Sequence, residues 1–165
     1  MRCGIGSRRA TGVVVIGVAG CAALLGLTGS LVRARTFSSD ATVQYIRSGA
    51  SLGPFSPIVR VGNVFYLSGQ IGVGPDGHLP QDFPVQVRQM MENISTTLKT
   101  AGSSFNDVFK CTVMLTDMSR WEEFNKIYAT YFKPERLPAR SAVGANALAK
   151  GASIELECMA YRPMP

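Results

Sequence analysis

Two segments with helical periodicity separate a series of strand-like segments, and this order limits the fold more than any other feature of the sequence. Residues 57–71, PIVRVGNVFYLSGQI, hold two β-rich runs around Gly62-Asn63 and predict a hairpin with a tight turn. Further strand-like runs are DVFKCTVMLTD at 107–117 and SIELECMAYR at 153–162. The order predicts strand-strand-helix-strand-helix-strand-strand in one compact domain over residues 43–165.

The first helix is predicted between Asp82 and Gly102. Asp82 offers an N-cap shortly before Pro84, and Gly102 ends the periodic run. The apolar positions of this helix are Val87, Met91, Ile94 and Leu98. They share one face, which is therefore expected to pack on a sheet.

The second helix is predicted between Ser119 and Lys133-Pro134, because Ser119 and Glu122 have the spacing of a capping box. Its aromatic residues recur on one face: Trp121, Phe124, Tyr128, Tyr131 and Phe132. Such a stripe could line a cofactor, but helical spacing beside strands favours packing in the core.

Alternation along the strands predicts two unlike faces of one sheet. The inward positions are Phe109, Cys111, Val113 and Leu115 in the central strand, with Ile154, Leu156, Cys158 and Ala160 in the last strand. The opposite face carries Met114, Glu155, Glu157 and Tyr161. Two helices of similar length cover only one side of the sheet. The other side is too apolar to stay in water, which predicts packing against a second copy of the chain.

The net charge is concentrated at one end of the chain. The formal charge is +6, but the first 37 residues hold five arginines and no acidic residue. The rest of the chain keeps 12 of the 17 basic residues against 11 acidic ones. This near-neutral part lacks the basic surface that is typical of nucleic-acid binding.

Residues 1–37 are predicted to form a targeting leader. Residues 11–32 are uncharged and long enough to cross a bilayer as a helix. A secretory signal, a membrane anchor and the apolar part of a mitochondrial presequence all fit this stretch. Arg35, Phe37 and Ser38 resemble a mitochondrial processing site, which favours mitochondrial import with cleavage after Phe37. The secretory and membrane-anchored alternatives stay open.

Few residues suit metal or nucleophilic chemistry. Cys3 and Cys21 lie in the leader, whereas Cys111 and Cys158 lie in apolar strand-like runs and are predicted to be buried, reduced thiols. The one histidine, His78, lies in a predicted loop, so no transition-metal cluster of the usual spacing can be assembled. We therefore expect a function without a metal or a histidine base.

Arg140, in the stretch LPARSAVGA at 137–145, is the first candidate for a site. Pro138 stiffens its approach, and no acidic residue occurs from Leu137 to Ser153 to pair with it locally. A guanidinium held in this way can bind a carboxylate or a phosphate through two parallel hydrogen bonds. The alternative is an ordinary solvated arginine on the surface.

Glu155 is the second candidate. It could be an edge-strand charge that opposes aggregation. It also shares a face with Glu157, and a carboxylate at a subunit contact must be compensated or used. Together with Arg140 and the small residues Ser68-Gly69, it predicts a site for an anionic small molecule and one activated water.

These motifs resemble the Rid family of reactive-intermediate deaminases, also called the YjgF or L-PSP family. The resemblance runs from about Ser48 to Arg162 and rests on GPFSPIVRVGN, SGQI, TVMLTDM, FNKIYATYF and, above all, PARSAV followed by IELE. It implies a chorismate-mutase-like α+β subunit of the bacillus type: one mixed sheet, covered on one face by two helices, that assembles as a homotrimer.

The resemblance also implies an activity: hydrolysis of imines and enamines, such as 2-iminopropanoate and 2-iminobutanoate, to 2-keto acids and ammonia without a cofactor. In this sequence Arg140 would bind the substrate carboxylate and Glu155 would position or activate water. The other implied pocket residues are Ser68, Gly69, Phe55, Asn125 and Ala142. Many bacterial relatives have Tyr at Phe55 and often Cys at Ala142. A noncatalytic ligand-binding or regulatory protein, or a translation inhibitor acting on RNA, is the alternative function.

Overall fold

The computed structural model describes residues 42–47 and 53–163. The predicted leader, with its apolar segment 11–32 and the cleavage position after Phe37, lies outside these residues. Within the described part of the chain, neither helix is long and apolar enough to span a bilayer.

The described residues form one seven-stranded mixed sheet with two α-helices. The strands are β1 (Val43–Ile46), β2 (Ile58–Val61), β3 (Val64–Leu67), β4 (Gln70–Ile71), β5 (Val108–Leu115), β6 (Ala139–Gly144) and β7 (Ile154–Tyr161); the helices are α1 (Phe83–Thr100) and α2 (Trp121–Tyr128). The sheet order is β1-β2-β3-β7-β5-β6, and the short β4 also pairs with β7. Only β5 and β6 run parallel, which makes α2 part of the crossover between them.

The predicted hairpin and first helix are confirmed. Val61 pairs with Val64 across a two-residue turn, and Gly62 adopts a φ of 57°, which glycine tolerates without strain. The Asp82 carboxylate accepts a hydrogen bond from the Val85 backbone N–H at 3.0 Å and so caps α1. Gly102, at a φ of 66°, follows the last turn.

The capping box predicted for the second helix is wrong. α2 begins after Arg120 without a side-chain cap. Asp117 caps the turn before it: its Oδ1 accepts hydrogen bonds from the Ser119 N–H at 2.9 Å and from the Ser119 hydroxyl at 2.7 Å. These bonds close a 3-10 turn at Met118–Arg120 that leads into α2. The α-helix ends at Tyr128 and is followed by a second 3-10 turn at Ala129–Tyr131.

The core lies between the helices and one face of the sheet, as predicted. The predicted inward residues of β7 are all buried: Ile154, Leu156, Cys158 and Ala160. The inward prediction is wrong for Phe109, which is 44% exposed. A break in register between Val108 and Lys110 shifts Phe109 out of the alternation, as a β-bulge does.

Cys111 and Cys158 form a disulfide, so the prediction of reduced thiols is wrong. Their burial was predicted correctly, at 1% and 2% exposure. The two residues lie directly opposite each other on β5 and β7, with Cα atoms 4.1 Å apart. Directly opposite positions on neighbouring strands bring their side chains together. The prediction failed because the sequence alone does not show which residues of two strands are paired.

The face of the sheet opposite the helices remains exposed in the single chain. Its outward-facing side chains include Tyr66, Val143 and Tyr161, which are 43%, 46% and 50% exposed. Within the described sheet, β6 has a neighbouring strand on one side only. β1, at the other end of the described sheet, also has a neighbour on one side only. The open face and these two edges are the uncovered surfaces of the described sheet.

Candidate active site

Arg140 lies on the helix-covered face of β6. It pairs with Cys111 in the parallel register of β5 and β6, and Cys111 points into the core. Side chains in register on adjacent strands share a face of the sheet. Arg140 is therefore directed under α2, where it is half-buried.

Side chains of α2 surround the Arg140 guanidinium. Its central carbon lies 4.5 Å from the ring centroid of Trp121, 4.5 Å from that of Tyr128 and 5.2 Å from that of Phe124. Its Nη2 donates a hydrogen bond to the Asn125 Oδ1 at 2.6 Å. These spacings of three, four and seven residues lie along one stripe of a helix. We call Trp121, Phe124 and Tyr128 the aromatic cage.

The sequence interpretation of this aromatic stripe was incomplete. Phe124 and Tyr128 do pack in the core, at 0% and 4% exposure. The same rings also contact Arg140, which is contributed by a later strand, so helical periodicity alone does not reveal the second role. Only a combination of sequence features could have indicated this contact: an arginine without an acidic residue nearby in sequence follows the aromatic helix and lies in a strand.

The Arg140 charge has neutral neighbours. None of the ion pairs among the described residues involves Arg140, in agreement with the lack of acidic residues nearby in sequence. Burial raises the pKa of the Tyr128 hydroxyl to about 12, and the Arg140 charge opposes that shift. Tyr128 thus stays protonated and uncharged at neutral pH.

Glu155 lies on the open face of the sheet. It pairs with Met114 of β5 and with Ile71 of β4. Burial, followed by repulsion from Glu157, raises the pKa of the Glu155 carboxyl. The Glu155 carboxylate also lies against Gly69, where an added Cβ would collide with its Oε1. Gly69 therefore leaves the space that this carboxylate occupies.

Ser68 connects the segment around Phe55 to the end of the hairpin. Its hydroxyl donates a hydrogen bond to the Ser56 carbonyl at 2.8 Å, and its backbone N–H donates to the Pro57 carbonyl at 3.0 Å. Phe55 adjoins this contact and is 45% exposed. Phe55, Ser68, Gly69 and Glu155 thus belong to one region, which we call the Glu155 group.

The sheet separates the two sets of predicted site residues. Arg140 is aligned with Cys111 and Glu155 with Met114. These two β5 positions differ by three, and side chains at an odd offset along a strand point to opposite faces. Asn125 contacts Arg140, and Ala142 shares the Arg140 face and packs against the core. We call these three residues the Arg140 group. A single chain does not join the two groups, and its described residues contain no cluster of His, Cys, Asp and Glu suited to a metal.

The chain is thus a small α+β protein with one mixed sheet, in which an arginine without an ion pair among the described residues lies beneath an aromatic helix; a guanidinium of this kind has the geometry to bind a carboxylate. The family model described as Endoribonuclease L-PSP matches residues 46–162. The chain belongs to this family, which is the Rid or YjgF family of small-molecule deaminases suggested by the sequence motifs.

Three proteins of known sequence illustrate the similarity. A 2-iminobutanoate/2-iminopropanoate deaminase of Mus musculus is 40% identical over 118 residues, which cover 70% of this chain and 87% of the mouse protein. A RutC family protein of Pyrococcus horikoshii is 42% identical over 113 residues, or 67% and 89% of the two chains. The chloroplastic Reactive Intermediate Deaminase A of Arabidopsis thaliana is 34% identical over 140 residues, or 84% and 71% of the two chains.

Solved structures show the same fold. A Rid-family protein of unknown function from Yersinia pestis matches with a TM-score of 0.70 and 36% identity, over 73% of this chain and 100% of that one. TdcF of Escherichia coli with bound serine matches with a TM-score of 0.64 and 33% identity, over 73% and 97% of the chains. Because the match covers 100% and 97% of these two solved chains, the domain forms this fold in them without further segments.

Proposed function

We propose that this protein is a hydrolase that deaminates reactive 2-imino acids, such as 2-iminopropanoate and 2-iminobutanoate, to 2-keto acids and ammonia. The observation that carries the proposal is the Arg140 guanidinium, which is held by Asn125 and three rings without an acidic partner among the described residues. The substrate carboxylate would supply the missing negative charge. The names of the mammalian relatives support the same substrate class.

Arg140 has the donors needed to orient such a substrate. A guanidinium carries five N–H donors, and Asn125 accepts from one nitrogen only. The remaining donors can form a bidentate pair with a carboxylate. Fixing the carboxylate in this way also fixes the adjacent imine carbon, which increases the fraction of productive encounters with water.

Glu155 would activate the water. The carboxylate accepts a proton from water while the water oxygen forms a bond to the imine carbon and the carbon–nitrogen π electrons move to nitrogen, which takes the proton from Glu155 to give a carbinolamine. Glu155 then carries the hydroxyl proton to the nitrogen, the carbon–nitrogen bond breaks, ammonia leaves, and the carbon becomes the ketone of a 2-keto acid. Because the imine carbon is already electrophilic, the reaction needs no cofactor. The raised pKa of Glu155 makes it a stronger base than an ordinary glutamate.

The complete site would join the Arg140 group of one chain to the Glu155 group of a second chain. The two groups lie on opposite faces of the sheet, so one chain cannot present both to one small substrate. The open face and the outer edge of β6 offer the surfaces for such a contact. We propose a homotrimer with sites at the subunit interfaces.

The direct test is a coupled imine assay on residues 38–165. An L-amino-acid oxidase or a threonine dehydratase generates the imine, and trapping by semicarbazide reports its lifetime. We expect the protein to accelerate loss of the imine. If 2-ketobutyrate binds but the imine disappears at its uncatalysed rate, the noncatalytic ligand-binding alternative is correct.

The shared site predicts complementation between two inactive variants. Arg140→Ala and Glu155→Gln, refolded together, should regain activity, because some interfaces combine an intact Arg140 with an intact Glu155. With random mixing in a ring, about a quarter of the sites are intact. Each variant refolded alone is the control. A mixture no more active than the mean of its components would exclude a site shared between chains.

The pH dependence of the reaction should reflect the Glu155–Glu157 pair. Glu155 works as a base only when ionised, and its raised pKa places the acidic limb of kcat/KM above the ordinary range of a glutamate. Glu157→Gln removes a negative charge that raises this pKa, so the acidic limb should move to lower pH. The exposed Glu135 provides the control variant Glu135→Gln. An unmoved limb in Glu157→Gln would contradict the assignment of Glu155 as the base.

We propose that the leader removes the domain from the cytosol, with mitochondrial import favoured by Arg35, Phe37 and Ser38. The Cys111–Cys158 disulfide bears on the secretory and membrane-anchored alternatives. Disulfides persist in secreted and other oxidising compartments and are rare where glutathione and thioredoxin keep thiols reduced. The bond therefore favours a secretory or membrane-anchored destination, in contrast to the arginine motif, which favours mitochondrial import. Microscopy of the full chain fused to a fluorescent protein, with and without residues 1–37, would distinguish these destinations.

A further inference from the structure

We propose that the aromatic cage is a positioning device for Arg140: its rings fix the guanidinium and thereby set the affinity for the substrate carboxylate, without acting on the reacting atoms. This inference rests on the proposed function, because it takes the carboxylate of a small 2-imino acid as the ligand of Arg140. Trp121 is the ring that tests it best.

The cage has a rigid base. Phe124 and Tyr128 are core residues at 0% and 4% exposure, and their ring centroids lie 5.2 Å apart. Trp121 stands one turn earlier, with its centroid 6.0 Å from that of Phe124. The Asp117 cap fixes the entry into α2 immediately before Trp121. The rings therefore hold their positions whether or not a ligand is present.

The cage attracts the cation without neutralising it. An aromatic face binds a guanidinium through its quadrupole, and Asn125 contributes a neutral carbonyl oxygen. An aspartate or glutamate in the same position would compete with the substrate for the same N–H donors. A cage of rings thus confines the long Arg140 side chain before binding, so less conformational freedom is lost when the carboxylate arrives.

The ring of Tyr128 contributes to this effect, because its centroid lies 4.5 Å from the guanidinium carbon. The Tyr128 hydroxyl is buried without a hydrogen bond of good geometry among the described residues, although Arg140 lies close enough to lower its pKa against the effect of burial. Tyr128→Phe keeps the ring and removes this buried polar atom. We expect this variant to be at least as stable as the wild type.

Trp121→Leu is the decisive variant because Trp121 is only half-buried, so its truncation disturbs the core least. We expect KM to rise about tenfold, the size of one partly desolvated cation–π contact, while kcat changes by less than about twofold. Trp121→Phe should restore most of the affinity. Phe105→Leu is the matched control, because Phe105 is also a half-buried ring but packs against the rings of Tyr131 and Phe132 and not against Arg140.

Trp121 also provides a signal that does not depend on turnover. It is the only tryptophan in the chain, so its fluorescence reports directly on the surroundings of Arg140. Titration of residues 38–165 with 2-ketobutyrate should change this fluorescence in the wild type. The change should be lost in Arg140→Ala.

The two measurements separate the failure of each proposal. A fluorescence response without imine turnover would refute the deaminase and retain the cage. Imine turnover in which folded Trp121→Leu has the KM of the wild type, or loses kcat at constant KM, would refute the cage and retain the deaminase. If Trp121→Leu does not fold, the wild type decides: imine turnover without a change in Trp121 fluorescence on titration with 2-ketobutyrate would overturn the assignment to the rings, and a saturable change would support it.

Discussion

Replacement of Arg140 by alanine is expected to lower kcat/KM for the imine about 10³-fold. Two charge-assisted hydrogen bonds to the carboxylate contribute about 4 kcal/mol together, and each 1.36 kcal/mol corresponds to a factor of about ten. The loss should fall on KM, because Arg140 binds the substrate carboxylate, and also on kcat, because the same contact orients the imine carbon toward the attacking water. The coupled imine assay, run over a range of substrate fluxes, measures both constants.

Two further variants make this result specific to the site. Arg136→Ala is the matched control: Arg136 is exposed and donates to the Asn106 carbonyl at 2.8 Å, outside the Arg140 group. It should retain the activity of the wild type. Arg140→Lys keeps the charge but loses the planar fork, so we expect an intermediate activity. If Arg140→Ala folds and deaminates as fast as the wild type, Arg140 does not bind the substrate.

Reduction of the Cys111–Cys158 disulfide is expected to lower the free energy of unfolding by about 4 kcal/mol. The bond joins residues 47 positions apart, and a cross-link of that span restricts the unfolded chain by about this amount in the chain-entropy treatment. A domain of this size is stabilised by only about 5–15 kcal/mol in total. Urea denaturation of residues 38–165, with and without a reductant, measures the difference.

The double variant Cys111→Ala/Cys158→Ala provides the control for that experiment. Residues 38–165 contain no other cysteine, so a reductant should leave the stability of the double variant unchanged. The double variant should resemble the reduced wild type, apart from the small packing loss of two buried sulfur atoms. Equal free energies of unfolding for the oxidised and reduced wild type would show that the bond does not stabilise the domain.

The locally encoded parts of the fold could be predicted from the sequence. The hairpin around Gly62-Asn63, the Asp82 cap of α1 and the alternation of β7 each depend on residues a few positions apart. The start of α2 was misassigned, because Asp117 and Ser119 both suit an N-cap, whereas Asp117 caps a 3-10 turn and α2 follows that turn without a side-chain cap.

Features that depend on strand register could not be predicted. The bulge that exposes Phe109, and the pairing that joins Cys111 to Cys158, require knowledge of how β5 and β7 align. For the candidate site, the missing local acid and the family motifs identified Arg140 and Glu155 as residues of interest. Their placement on opposite faces follows from the parallel register of β5 and β6, which no local pattern contains.

In the proposed homotrimer, the uncovered surfaces of the sheet set a lower limit on the concentration of the working protein. A subunit released from an assembly would expose Tyr66, Val143 and Tyr161 together with the unpaired backbone groups of β6. Aromatic patches and open strand edges recruit other chains without selectivity. Dissociation would therefore remove solubility as well as activity, and a cell would need to keep the chain concentrated enough that free subunits remain scarce.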